Sequence, residues 1–188
     1  MPRLLVCFAV LAMALHGEDP AAARINAKID LIRDELARPG STIEFPIADV
    51  NAWARAELAE SVPMGVREAL VTMGTDTIEL SAIVDIRKIA ESDGKAINAL
   101  VGKLLEGERP VKMSLRTESA GGQLTVFLTA VEISGLPVTG AALDLLVRTV
   151  LLPLYPDADA KINEAFDMKH SMERVSVHPS GIHVLIKP

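Results

Sequence analysis

The sequence predicts an α+β fold in which a long, strongly curved antiparallel sheet of hairpins wraps around an aliphatic helix, with an amphipathic helix at the N-terminus. Three observations lead there. Long alternating segments are joined by glycine-bearing turns around Gly74 and Gly121, and a compact pair closes the chain around Gly181. The stretch Gly140 to Tyr155 (GAALDLLVRTVLLPLY) is apolar nearly all round, the mark of a helix that lies in a core or a membrane. Pro20 to Arg38 carries Ile25, Ile29, Ile32 and Leu36 at spacings of four and three, which is one face of a helix.

The N-terminus reads as a secretory signal peptide over residues 1–17. Arg3 supplies the basic start, Leu4 to Leu15 an apolar run too short for a bilayer span of about 20 residues, and Ala12-Met13-Ala14 a cleavage signal, placing the cut near Ala14 to Gly17. Residues 18–188 then form a single exported domain, periplasmic or extracellular. Cys7, the only cysteine, leaves with the signal, so the mature chain has neither disulfide nor thiol. It is long enough to hold a core without covalent staples. Net charge is −6 and becomes about −7 once Arg3 is lost (−6 minus +1). An acidic chain without a Lys/Arg run is a poor nucleic-acid binder. Aromatic residues are 3% of the chain, which counts against stacking platforms and aromatic cages.

Taken in order, Asp19 caps the first helix with Pro20 at its first position, and Pro39-Gly40 stops it. Ser41 to Ile47 alternates Ile43, Phe45 and Ile47 as a strand, with Pro46 confining it to an edge. Asp49 is expected to cap a second helix from Val50 to Ser61. Val66 to Met73 and Thr77 to Ile86 form a hairpin, its second arm setting Ile78, Leu80, Ala82, Val84 and Ile86 against Glu79, Ser81, Ile83 and Asp85, one face buried and one mostly wet. A helical excursion over 86–107 leads to Arg109 to Glu118. Gln123 to Ser134 returns with apolar groups on both faces; either both are covered or a bulge swaps the faces midway, and Glu132 on the first face favours a bulge or strong curl.

Gly135 to Thr139 is read as a linker and Thr139 as the cap of the central helix. Within that helix Asp144 and Arg148 are spaced to pair, and this pair, Pro153 and the short length assign it to the core and not to a membrane. A short helix is expected over Pro156 to Phe166. Val175 and Val177, then Ile182, Val184 and Ile186, flank a three-residue loop with Gly181 in a left-handed conformation.

Motifs for phosphate cradling, nucleophile elbows, zinc proteolysis or thiol chemistry are absent from the sequence. His170, His178 and His183 lack an acidic ligand tied to them by spacing, and solvent-facing strand histidines are the better reading. Asp157 and Asp159 lack the later Gly and Glu of a calcium loop. No catalytic residue, metal or cofactor is therefore expected. What remains is shape: an aliphatic groove between central helix and sheet, lined by Leu80, Val84, Met113, Leu115, Val126, Leu128, Leu143, Leu146, Val147 and Val150. Met64, Met73, Met113, Met168 and Met172 make such an interior adaptable.

The segments Phe45-Pro46-Ile47 and Val50-Asn51-Ala52-Trp53, the long meandering strands, the aliphatic helix and the terminal hairpin Val175 to Ile186 resemble the small exported bacterial TULIP-like (tubular lipid-binding-like) proteins of the YceB-like and YpmS-like families. The resemblance implies a bent sheet around a long helix, an apolar channel that holds lipid or an acyl chain, and no catalytic motif. Those families often keep a lipid or membrane anchor; membrane contact is compatible with this sequence, but no anchor is expected. The functional expectation is an exported, non-enzymatic lipid- or apolar-ligand-binding protein of the cell envelope. The alternative is a structural or interaction module of the periplasm with a fully packed core.

Overall fold

The first helix is built as its sequence directs at the start and departs from it at the end. In the computed structural model, which describes residues 19–61, 65–85, 107–140, 143 and 162–188, α1 spans Pro20–Arg33. Asp19 Oδ1 accepts from the Ala21 amide at 2.8 Å, satisfying one of the free N–H groups of the first turn. Ile25, Ile29 and Ile32 are buried as expected. The helix does not reach Arg38, and Leu36 is 72% exposed. Glu35 adopts a φ of +55°, its amide bonds to the Ile32 carbonyl and the Leu36 amide to that of Leu31. This is a Schellman ending whose left-handed position holds Glu instead of the usual Gly, which hid it from the sequence reading.

Strand β1 (Thr42–Pro46) buries Ile43 and Phe45 and is an edge strand, with Pro46 its last residue. Helix α2 (Ile47–Ser61) follows at once, so Ile47 is helical and Asp49 lies in the first turn instead of capping it. A carboxylate there still complements the helix dipole. Strands β2 (Val66–Met73) and β3 (Thr77–Asp85) form the first hairpin. Asn51 of α2 closes the outer edge of β2 as a strand neighbour would: Val71 N donates to its Oδ1 at 2.7 Å and its Nδ2 donates to Val71 O at 2.8 Å. Without it two backbone groups lose their partners, a loss of about 1–3 kcal/mol for each buried group. The clean wet face expected on β3 is not found. Asp85 is buried, and the residues between Ile78 and Asp85 are half-buried on both faces. The outer face is roofed by cross-strand pairs such as Lys112 with Glu79 at 2.8 Å.

β4 (Glu108–Ala120) and β5 (Gln123–Ile133) are joined by Gly121-Gly122, both at positive φ (+59° and +79°), the geometry of a two-residue hairpin turn that follows the strand twist. The expected bulge is present. Ser114 pairs Ala130 while Leu115 pairs Leu128, leaving Thr129 as the extra residue. Leu124 and Val126 are buried before it and Val131 after it, so the face change preserves one apolar side. Leu136–Val138, read as linker, is strand β6. A second tight turn with Ser134 and Gly135 at positive φ folds it back on β5. Ala165–Asp167, expected at a helix end, is strand β7 on the other half of the same β5 edge. β8 (Met172–His178) and β9 (Gly181–Ile186) close the chain.

The fold is thus α+β with mostly antiparallel pairing: a three-stranded sheet ordered β1-β9-β8, a larger one ordered β2-β3-β4-β5-β6 with β7 beside β5, and two helices among the described residues. The signal segment, the excursion over 86–106 and the expected helices over 140–155 and 156–166 lie outside the described residues, apart from Gly140, Leu143 and the stretch from Ile162 onward. The sheets meet where β8 crosses the hairpin ends of the larger sheet. Asp76 N donates to Val177 O at 3.0 Å, Gly122 N to Glu173 O at 2.9 Å, and Val175 N to Ser119 Oγ at 2.9 Å. The α1 and α2 faces cover this junction, and one apolar core fills it.

The last hairpin differs from expectation in detail. His178 pairs Gly181, so the loop is Pro179-Ser180 and two residues long. Gly181 has φ +146°, an extended region reserved for glycine and not the left-handed helical well. A Cβ there would lie 2.1 Å from the Phe45 carbonyl oxygen, because β1 passes directly over it. Gly181→Ala is expected to cost about 2–4 kcal/mol through backbone strain and separation of β1 from β9. Gly40→Ala, with φ +72° but open space around the added carbon, is expected to cost only about 1 kcal/mol. Thermal denaturation of both variants checks the difference.

Candidate functional site

At the junction of the helices and the two sheets the core is incompletely filled, leaving an apolar cavity of about 180 Å³. Each wall comes from an element already described. Helices α1 and α2 present Ile25, Ile29, Val50, Trp53 and Ala54; the larger sheet presents Val71, Met73, Ile78, Leu80, Leu115 and Leu124. The small sheet presents Phe45, Met172, Val175, Ile182 and Val184, β7 adds Phe166, and the connection into β8 adds Met168. Every lining residue among those described is apolar. A fully enclosed void of roughly 150 Å³ with such walls stays dry and accepts benzene or xenon, whereas drug-sized ligands occupy about 300–1,000 Å³; this cavity is of the first size but only partly enclosed. The cavity is therefore on the scale of one small hydrocarbon body.

Two anchors stop the walls from collapsing inward. Trp53 Nε1 donates to Asn26 Oδ1 at 2.9 Å, fixing the indole across the helix pair. Arg24 of α1 grips Asp49 of α2 with both oxygens engaged, Nε to Oδ2 at 3.0 Å and Nη2 to Oδ1 at 2.5 Å. Asp49 is 8% exposed. The hydrogen bond from Arg24 holds its carboxyl below the usual carboxylate range, burial opposes this, and the charges of Arg24 and Lys28 add to it. A third contact joins α1 to β1: Lys28 Nζ donates to Glu44 O at 2.6 Å and stands 5.8 Å from the centre of the Phe45 ring.

Of the residues expected to line a groove, Leu80 and Leu115 line this cavity, and Val126 is buried in the same core cluster without reaching it. Val84, Met113, Leu128 and Leu143 are half-buried and stand away from it. Leu146, Val147 and Val150 lie outside the described residues. Of the methionines, Met73, Met168 and Met172 are on the lining, Met113 is not, and Met64 lies outside the described residues. The helical walls are not part of the groove expected from the sequence. The alternation of Ile25 and Ile29 signals burial alone, and only Asn26 and Trp53, polar partners inside an apolar interface, hint at a fixed gap.

Other sites are less defined. A larger hollow of about 560 Å³ beside β8 is an open polar trough lined by residues including Asp76, Glu118, Gln123 and Arg174. His178 and His183 are neighbours, with ring centres 4.8 Å apart, while His170 faces Glu35 at 4.0 Å. Among the described residues no group of three or more His, Cys, Asp or Glu is placed to hold a metal ion, and no helix is long and apolar enough to cross a membrane. Comparison with protein-family models, curated proteins and solved structures finds no match to the chain.

The Arg24–Asp49 pair makes the closure over the cavity acid-sensitive. Because the folded carboxyl titrates lower than the unfolded one, its stabilisation is fully present above about pH 4 and is lost as pH falls through the folded value. Asp49→Asn should be less stable at pH 7 and should show a smaller further loss between about pH 4 and pH 2 than the parent. Equilibrium denaturation at each pH measures that difference.

Proposed function

We propose that the protein is an exported, non-enzymatic binder of a small apolar ligand or a single lipid chain, acting at the cell envelope. What supports the reading is the cavity beneath α1 and α2, whose described walls are wholly apolar and whose volume suits one hydrocarbon body. In this reading the larger sheet curls about the aliphatic stretch 140–155. The groove expected from the sequence, along Val84, Met113, Leu128, Leu143, Leu146, Val147 and Val150, is in this reading a second apolar site, since the first four stand away from the cavity. The signal-like N-terminus and the absence of a catalytic motif in the sequence fit a carrier or sensor in the envelope better than an enzyme.

The size of the void sets the affinity. Filling about 180 Å³ at about 24 cal/mol per Å³ returns roughly 4 kcal/mol, a Kd near 1 mM for the apolar body alone. Trp53 is the only tryptophan and lies on the wall, so its emission reports occupancy. Titration of the full chain with benzene should shift Trp53 emission with a Kd of about 1 mM. Ala54→Leu, which places a larger side chain on the same wall, should weaken binding at least about tenfold while leaving the melting temperature unchanged or higher. No response of the parent protein to benzene would instead favour an interaction module with a packed core.

A further inference from the structure

We propose that the ligand is a single-chain carboxylic acid, its tail in the cavity and its carboxylate on Lys28 at the seam between α1 and β1. This rests on the apolar-ligand reading above and adds the head group to it.

A polar head has few places to go. The described cavity wall offers no side-chain hydrogen-bond partner save the Trp53 N–H, and Asn26 occupies that. A head group must therefore stay outside, and the volume admits roughly six carbons of one chain. A second chain has no room beside it.

The seam between α1 and β1 is the weakest part of the enclosure. The strands around the cavity are laddered to one another through their backbones. Helix α2 is tied into both sheets by Asn51 on Val71 and by the Ile47 amide on the Ser180 carbonyl. Among the described residues α1 is fastened to other elements by side chains alone: Arg24 and Asn26 to α2, Lys28 to β1. Lys28 is the one side-chain hydrogen bond across the seam to β1. It gives way without exposing a strand ladder.

The charges at that seam favour an anion. Arg24 takes both oxygens of Asp49. Lys28 makes no direct ion pair among the described residues, although its charge is felt by Asp49; its ammonium rests on the Glu44 carbonyl at the surface, beside the ring of Phe45, which is itself on the cavity wall. A carboxylate entering there replaces a neutral acceptor with a charged one, the stronger of the two hydrogen bonds. The ligand's chain then continues past Phe45 into the void.

The probes are octanoate and 1-octanol, of equal chain length, read through Trp53 emission of the full chain at pH 7.5. Lys28→Met should weaken octanoate about fivefold, the scale of one partly exposed ion pair, and leave 1-octanol within about twofold. Lys28→Arg should restore the preference. Equal weakening of both probes by Lys28→Met, or no change in either, overturns the proposal while leaving apolar binding intact. A response to phosphatidylcholine vesicles without one to octanoate overturns the ligand class. If the parent protein responds to benzene but to neither octanoate nor 1-octanol, this inference falls and the apolar-ligand reading stands; no response to any of the three removes both.

Discussion

The arrangement of this fold depends on how the outer edge of β8 is satisfied. A three-stranded sheet with an open edge is a weak object, because the unpaired backbone groups of an edge strand must find partners or remain in water. Here the partners come from the turns of the larger sheet. Asp76, at φ +53°, is the pivot: its amide donates to Val177 and its carbonyl accepts from Thr117 at 2.8 Å. Gly122 and Ser119 serve the neighbouring positions. These bonds fix the angle at which the two sheets meet, and the apolar faces must accommodate that angle.

The cavity follows from this order of constraints. Protein interiors ordinarily close to crystal-like density, but closure needs freedom to slide. The sheets are held by the β8 contacts, α2 by Asn51 on Val71, and α1 by Arg24 and Asn26. Each directional contact is satisfied, and together they hold the apolar surfaces slightly apart. The methionines on the lining, Met73, Met168 and Met172, are the side chains best able to shift with a guest. A void retained at a stability cost of several kcal/mol is a reason to look for a ligand.

Features carried by local chemistry were legible in the sequence. Asp19-Pro20 marks a helix start, Gly121-Gly122 a hairpin, and the crossed pattern of Leu124, Val126, Val131 and Ile133 a bulge; all three are present. Features carried by unusual residues in special conformations were not. The end of α1 rests on Glu35, and the β5–β6 turn on Ser134, each at positive φ without being glycine. Strand β7 is three residues long, too short for alternation to register. The cavity was the least legible feature, since its walls come from segments as far apart as Ile25 and Val184 and depend on their relative placement. The most apolar stretch, 140–155, points to the middle of the larger sheet; the described void lies at that sheet's hairpin ends, where alternation marks Leu80 and Leu115 as inward-facing but gives no sign of Trp53.

The most direct test of the central claim is a crystal of the full chain pressurised with xenon. An empty apolar cavity of this size takes up the gas. A xenon peak between Ile29, Trp53, Leu115 and Val184, with little movement of the surrounding side chains, is the expected result. A region filled by repacked side chains, with no xenon bound, would contradict it.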